Sequence, residues 1–176
     1  TAEHFGLKGA PDLELGTMSK ALAGIGGFVA GDGDVIEYLR YYADSYVFAA
    51  TLPAPVVAGL IVSLEILQAE PGRLGRLWQN IRRLRSRLIS DGFDLERTES
   101  AILPVVVGDE PTALALGREV RRRGMFCQTV VFPGVPLGQA RLRISVTADH
   151  VSRDLDEAAD IVRDAADVIG FRRDGR

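Results

Sequence analysis

The sequence predicts an α/β to α+β chain in which helices pack on a small sheet. Three observations carry this. From Ala101 onward the pattern runs strand, helix, strand, strand, helix. From Pro71, the residues Leu74, Leu77, Trp78, Ile81, Leu84 and Leu88 recur at helical spacing. Finally, 176 residues that are 47% apolar and 26% charged describe a globular chain long enough for one good core or two small ones.

Taken in order, residues 3 to 8 read as a short helix end, and Asp12 to Thr17 alternates as a strand would. A loop carrying Lys20 follows, and Gly27 to Gly31 reads as a second short buried strand. Asp34 caps a helix to about Tyr42, with Val35, Ile36, Leu39 and Tyr42 on one side. Pro53 and Pro55 break the chain and begin a long apolar helix to about Ala69. With almost no polar face, that helix is expected to be buried on several sides or to lie at an interface. The next helix runs from Pro71 and ends at Gly92. Its arginines at 73, 76, 82, 83, 85 and 87 fall mostly on the other faces, which a solvated amphipathic helix explains better than a nucleic-acid surface. Ile102 to Val107 is a β-branched strand, Asp109 to Arg123 a capped helix closed by Gly124, and Phe126 to Phe132 another strand. Arg141 to Thr147, "RLRISVT", alternates as a strand, Ser152 caps a last helix to about Ile169, and Arg172 to Arg176 reads as a frayed tail.

The formal charge of −3 calls for no nucleic-acid or anionic-membrane partner. One cysteine, Cys127, excludes an internal disulfide framework, and a cytoplasmic location is the expectation. No window holds eighteen uninterrupted apolar residues and no basic, then apolar, leader opens the chain, so neither a membrane span nor a signal peptide is expected. The first residue is Thr1, not methionine, so a processed, tag-cleaved or partly represented piece of something longer is the expectation. His4, His150 and Cys127 cannot assemble a metal site of ordinary ligand spacing. There is no G-x-S-x-G, and "GIGG" and "GDG" lack the spacing of a nucleotide-binding loop and read as turns.

The sequence has two lysines, at 8 and 20, against nineteen arginines. Lys20 lies in "GTMSKALAGIGGFVAG", residues 16 to 31, among small, apolar and hydroxyl side chains. A lysine amine held in a pocket can bond a carbonyl as a Schiff base. Thr17 and Ser19 place hydroxyls beside it, and a glycine-rich loop lets backbone amides approach a phosphate ester. Taken alone, a solvated or ion-paired lysine is the plainer interpretation.

That segment resembles the cofactor-bearing segment of the α-oxoamine synthases, pyridoxal 5'-phosphate enzymes of fold type I that condense an amino acid with an acyl thioester. "YVFAATLPAPVVAG" at 46 to 59, "TESAILPVVVGD" at 98 to 109 and "FPGVPLGQARLRISVTADH" at 132 to 150 agree in order and spacing. "RLW.N" at 76 to 80 and "ESAI" look closest to serine palmitoyltransferase-like members, with 8-amino-7-oxononanoate synthases close by. The resemblance implies residues 1–45 as the end of the cofactor-binding large domain and 46–70 as a linking and dimer-contact helix. It implies residues 71–176 as an α+β C-terminal domain with a small, mainly antiparallel sheet.

It further implies that Lys20 holds pyridoxal phosphate and moves the Cα proton, that Thr17 bonds the cofactor phosphate, and that Ser19 assists. Arg143 matches the arginine that clamps the substrate carboxylate; a cross-strand ion pair is the alternative, and Arg141 is the candidate most easily confused with it. The segment at Ala49, Ala50 and Thr51 matches one that reaches the partner's cofactor phosphate across a homodimer. Related members often carry hydroxyl or amide side chains where Ala49 and Ala50 stand, so only backbone amides and Thr51 remain. The family's D-x-x-H motif is expected upstream of Thr1, and His4 is not its stacking histidine. Implied partners are an amino acid and an acyl-coenzyme A or acyl carrier protein, with the product an α-amino ketone after decarboxylation. The rival expectations are a non-catalytic fragment or dimerisation remnant, and a fold type I aminotransferase.

Overall fold

The computed structural model describes residues 2–173, which divide into two compact units, one up to Glu70 and one from Pro71 onward.

In the first unit, β1 (Leu13–Thr17) and β2 (Gly27–Gly31) form an antiparallel hairpin with Leu15 opposite Val29. Three helices follow: α1 (Gly33–Tyr42), α2 (Asp44–Val47) and α3 (Ala54–Ala69). Several expectations change here. Residues 2–9 form turns and no helix, because Gly6 and Gly9 take left-handed φ values of 67° and 80°. The cap of α1 is Asp32, whose Oδ1 accepts the N–H of Asp34 at 3.0 Å; Asp34 itself occupies the first turn. The short α2 lies where only broken chain was expected. β2 is exposed along its whole length, not buried, and Leu60 is the one buried residue of α3. Both elements are apolar, yet within this unit no second layer covers them.

The second unit holds α4 (Gly72–Ser90), β3 (Ile102–Gly108), α5 (Glu110–Arg122), β4 (Gln128–Val130), β5 (Ala140–Ser145) and α6 (Ser152–Val168). The sheet order is β3-β5-β4, antiparallel throughout, so β5 is the central strand. Its Leu142 and Ile144 join Leu84 and Leu88 of α4, Leu116 of α5 and Val162 of α6 in one buried core. The alternation on β5 is strict: Ala140, Leu142 and Ile144 are buried, while Arg141 and Arg143 are only partly so. Helix α5 lies directly on this sheet. A Cβ built on Gly117 would stand 2.0 Å from Oγ1 of Thr129, so glycine is what permits the approach.

The cap on α5 is as expected, with Asp109 Oδ1 accepting the N–H of Thr112 at 2.9 Å, and Gly124 closes the helix at φ 97°. By contrast, Ser152 makes no cap bond, and Val151 holds the N-cap position of α6. The strand expected from Phe126 to Phe132 shrinks to Gln128–Val130. The chain leaves Gly124 in a left-handed turn, and Pro133 has no N–H to extend a ladder. The tail is docked as far as it is described, since Arg173 pairs with Asp167 and lies over the Phe93 ring; residues 174–176 of the expected frayed tail lie outside the described residues.

Two arginines of α4 have carboxylate partners on α6. Arg83 makes a bidentate pair with Asp156 of α6, at 2.9 Å and 2.5 Å, and Arg87 reaches Asp160 at 2.8 Å. The Arg83 guanidinium, by hydrogen bond and charge, holds the Asp156 carboxyl below its ordinary value. A carboxyl depressed on folding contributes stability above its unfolded pKa and loses it as pH falls through the folded one. Asp156→Asn is therefore expected to lower Tm at neutral pH, and thermal melts should show the gap closing as pH falls below the ordinary carboxylate range. Among the described residues no single helix is long and apolar enough to cross a membrane.

Candidate functional site

Lys20 sits on the turn that joins β1 to β2, exposed, with the turn closed by backbone bonds on both sides of it. Met18 N–H is donated to Gly26 O at 2.9 Å, Gly24 N–H to Met18 O at 2.8 Å, and Ala23 N–H to Lys20 O at 3.0 Å. Two glycines give this turn its close packing. A Cβ on Gly24 would meet Leu60 of α3 at 2.6 Å, and one on Gly26 would meet Leu52 at 3.0 Å. The only buried side chain of α3 thus braces the lysine turn, and the segment that ends at Leu52 is drawn against it.

Thr17 and Ser19 are brought together. Their hydroxyl oxygens are 2.8 Å apart, and Oγ1 of Thr17 also accepts the N–H of Ser19 at 3.2 Å. Thr17 lines a cleft of about 640 Å³ with Gly16, Phe28, Ile36, Arg40 and Tyr46, whose walls include neither Ser19 nor Lys20. In the segment from 48 to 51, Ala49 donates its N–H to Tyr46 O at 3.2 Å. The N–H groups of Ala50 and Thr51 have no acceptor among the described residues.

In the second unit Arg143 borders a cleft of about 570 Å³ with Arg141, Arg97, Thr98, Ser100 and Val135. The two β5 arginines share a face and differ in their partners. Arg141 forms an ion pair with Glu96 at 2.9 Å and donates to Gln139 O at 3.0 Å. Arg143 donates from Nη1 to Gln128 Oε1 at 3.1 Å and forms no ion pair among the described residues. The cross-strand ion pair weighed for Arg143 is therefore absent; Arg141 has a carboxylate partner instead. Gln128 and Glu96 are site neighbours that the sequence did not disclose, although alternation on two adjacent strands would have placed 128 opposite 143 once the register was known.

The other reactive side chains are otherwise engaged. Burial pushes the Cys127 thiol up to about 11, which leaves it protonated at neutral pH. His150 Nδ1 accepts the N–H of Thr147 at 3.2 Å, while its carbonyl accepts Asn80 Nδ2 at 2.8 Å, a bracing role. Among the described residues no group of three or more His, Cys, Asp or Glu could hold a metal ion.

The family model for aminotransferase class I and II matches residues 1–162. The 4-hydroxy-2,2'-bipyrrole-5-methanol synthase PigH of Serratia sp. (strain ATCC 39006) is 62% identical over 170 residues, covering 97% of this chain and 26% of that protein. An 8-amino-7-oxononanoate synthase of Symbiobacterium thermophilum is 42% identical over 158 residues, covering 90% of this chain and 40% of its own length. Among solved structures, a serine palmitoyltransferase from S. paucimobilis with a bound PLP–myriocin aldimine superposes with a TM-score of 0.92 at 30% identity, over 97% of this chain and 44% of that one. The chain thus spans between a quarter and a half of the proteins it matches.

Proposed function

The chain belongs to the aminotransferase class I and II family, and its relatives are α-oxoamine synthases; from that premise we propose that it is part of a pyridoxal-phosphate-dependent acyltransferase. The whole enzyme would condense a small amino acid with an acyl thioester, with decarboxylation, to an α-amino ketone. The observation that carries this is the lysine turn. A primary amine stands on a short braced loop, with the Thr17 and Ser19 hydroxyls 2.8 Å apart and the N–H groups of Ala50 and Thr51 open.

That donor set fits the cofactor. An amine is what an aldehyde needs, and neutral hydroxyl and amide donors suit a phosphate. Lys20 Nζ would hold the aldehyde carbon; Thr17 Oγ1 and Ser19 would donate to the phosphate, and the amides at 50 and 51, reached from a partner subunit, would complete the grip. When bound, pyridoxal phosphate supplies an electron-withdrawing ring beside the amino-acid Cα. Lys20, as a free amine, is the base that takes the Cα proton. The Arg143 guanidinium fork holds the substrate carboxylate. The exposed apolar faces of β2 and α3 are the surfaces that the rest of a homodimeric enzyme would cover.

Serine is the amino acid proposed here, on the names of two relatives. One is named for serine, and the product name of another carries a hydroxymethyl group, which a serine side chain would leave beside the amine-bearing carbon. Product analysis with the full-length protein tests the function: serine and an acyl thioester should yield free thiol, carbon dioxide and an α-amino ketone. Transfer of the amino group to a 2-oxo acid, with no thiol released, would establish an aminotransferase instead. A protein that binds no pyridoxal phosphate and turns over neither substrate pair would be the non-catalytic remnant.

A further inference from the structure

Resting on Arg143 as the carboxylate ligand, we propose that Gln128 is its positioning residue, and that an amide at this place is what keeps the guanidinium open to an anionic substrate. The two arginines of β5 make the case by contrast. Arg141 has Nη1 on Glu96 Oε2 at 2.9 Å, Nε on Gln139 O at 3.0 Å and Nη2 on Gln139 Oε1 at 3.2 Å, with its side chain 16% exposed. Its charge is matched and its fork is occupied.

Among the described residues the Arg143 side chain has one hydrogen bond, from Nη1 to Gln128 Oε1 at 3.1 Å. Gln128 lies directly across from it in the β4–β5 register, and on the other side its partner is Pro104 of β3, which offers neither an N–H nor a polar side chain. The guanidinium is therefore restrained at one end by a neutral acceptor, with the remaining donors of its fork unpaired among the described residues. Such a tether reduces the side-chain freedom that carboxylate binding would otherwise have to remove, without neutralising the charge. A carboxylate at 128 would instead take the fork in the bidentate geometry that the substrate needs.

The test uses the full-length protein loaded with pyridoxal phosphate. Gln128→Glu is expected to raise KM for serine by up to about fivefold, the range of a partly exposed ion pair that must be displaced. kcat and KM for the thioester should stay within about twofold. Gln128→Met, which removes the acceptor without adding charge, is expected to raise KM for serine about two- to threefold. Binding of ethanolamine, serine without its carboxylate, followed by the cofactor's visible spectrum, should be unchanged in both variants. Wild-type KM in Gln128→Glu, or an equal weakening of ethanolamine, overturns the proposal. Arg143→Gln separates the two levels: a raised serine KM there beside an unaltered Gln128→Glu rejects only the role of Gln128. An unaltered serine KM in Arg143→Gln rejects the carboxylate assignment itself, and the role of Gln128 with it.

Discussion

In the full-length protein, Lys20→Ala loses the borohydride-reducible adduct with pyridoxal phosphate and lowers turnover by about 10²- to 10⁴-fold, which is what a positioned general base contributes. Three features make this the largest functional effect. The lysine is held on a turn that Leu60 and Leu52 brace through Gly24 and Gly26, so the amine has a defined base to project from. The hydroxyls of Thr17 and Ser19 lie beside it in the chain, and no carboxylate forms an ion pair with it among the described residues. The only other lysine of the chain is Lys8, which lies in the turns before β1, so it serves as the internal control. Lys8→Ala should keep both the adduct and the activity. Borohydride reduction followed by peptide mass mapping reads the site directly. An adduct that survives in Lys20→Ala defeats the assignment.

Leu142→Ala is expected to destabilise the second unit by about 2–5 kcal/mol, the cost of removing a large side chain from a packed core. Leu142 is fully buried at the centre of the central strand, with Leu103 and Val105 on the neighbouring strand and Leu116 on the helix that covers it. A cavity there cannot be closed by movement of one element, because α5 is already held against the sheet at Gly117. Arg143, one residue along, faces the other side of the same strand, and Arg143→Gln should leave the unfolding free energy within about 0.5 kcal/mol of wild type. Denaturant and thermal melts of the two variants, side by side, test whether the two faces of β5 divide stability from substrate binding. Equal destabilisation would show that they do not.

Most of the architecture was legible because its signals are local. Asp109 and Gly124 bound α5 in the sequence and in space, and the leucines and isoleucine of α4 announce their buried face three and four residues apart. What misled was of a different kind. Asp32 and Asp34 flank one glycine, and which of them caps is decided by backbone angles that composition does not encode. An apolar run such as Gly27–Gly31 reports its own hydrophobicity, not the presence of a layer above it. The candidate site divides in the same way. Lys20, with the hydroxyls of Thr17 and Ser19, stood out through type and setting and Arg143 only through the family resemblance, whereas Gln128 and Glu96 are placed by strand register and loop placement, which join residues 15 and 45 positions apart. Only the fold places those neighbours.

The strict alternation of β5 bears on how such a protein can change. Sliding this strand by one position would drive two guanidinium groups into the hydrocarbon interior and expose the aliphatic residues now inside, a penalty that no small gain elsewhere would offset. The connection from residue 131 to 139 can therefore lengthen, shorten or diversify while Arg143 stays at its post. Over evolutionary time this leaves one wall of the Arg143 cleft free to vary in length and composition, while the arginine itself is held in place by the register of its strand.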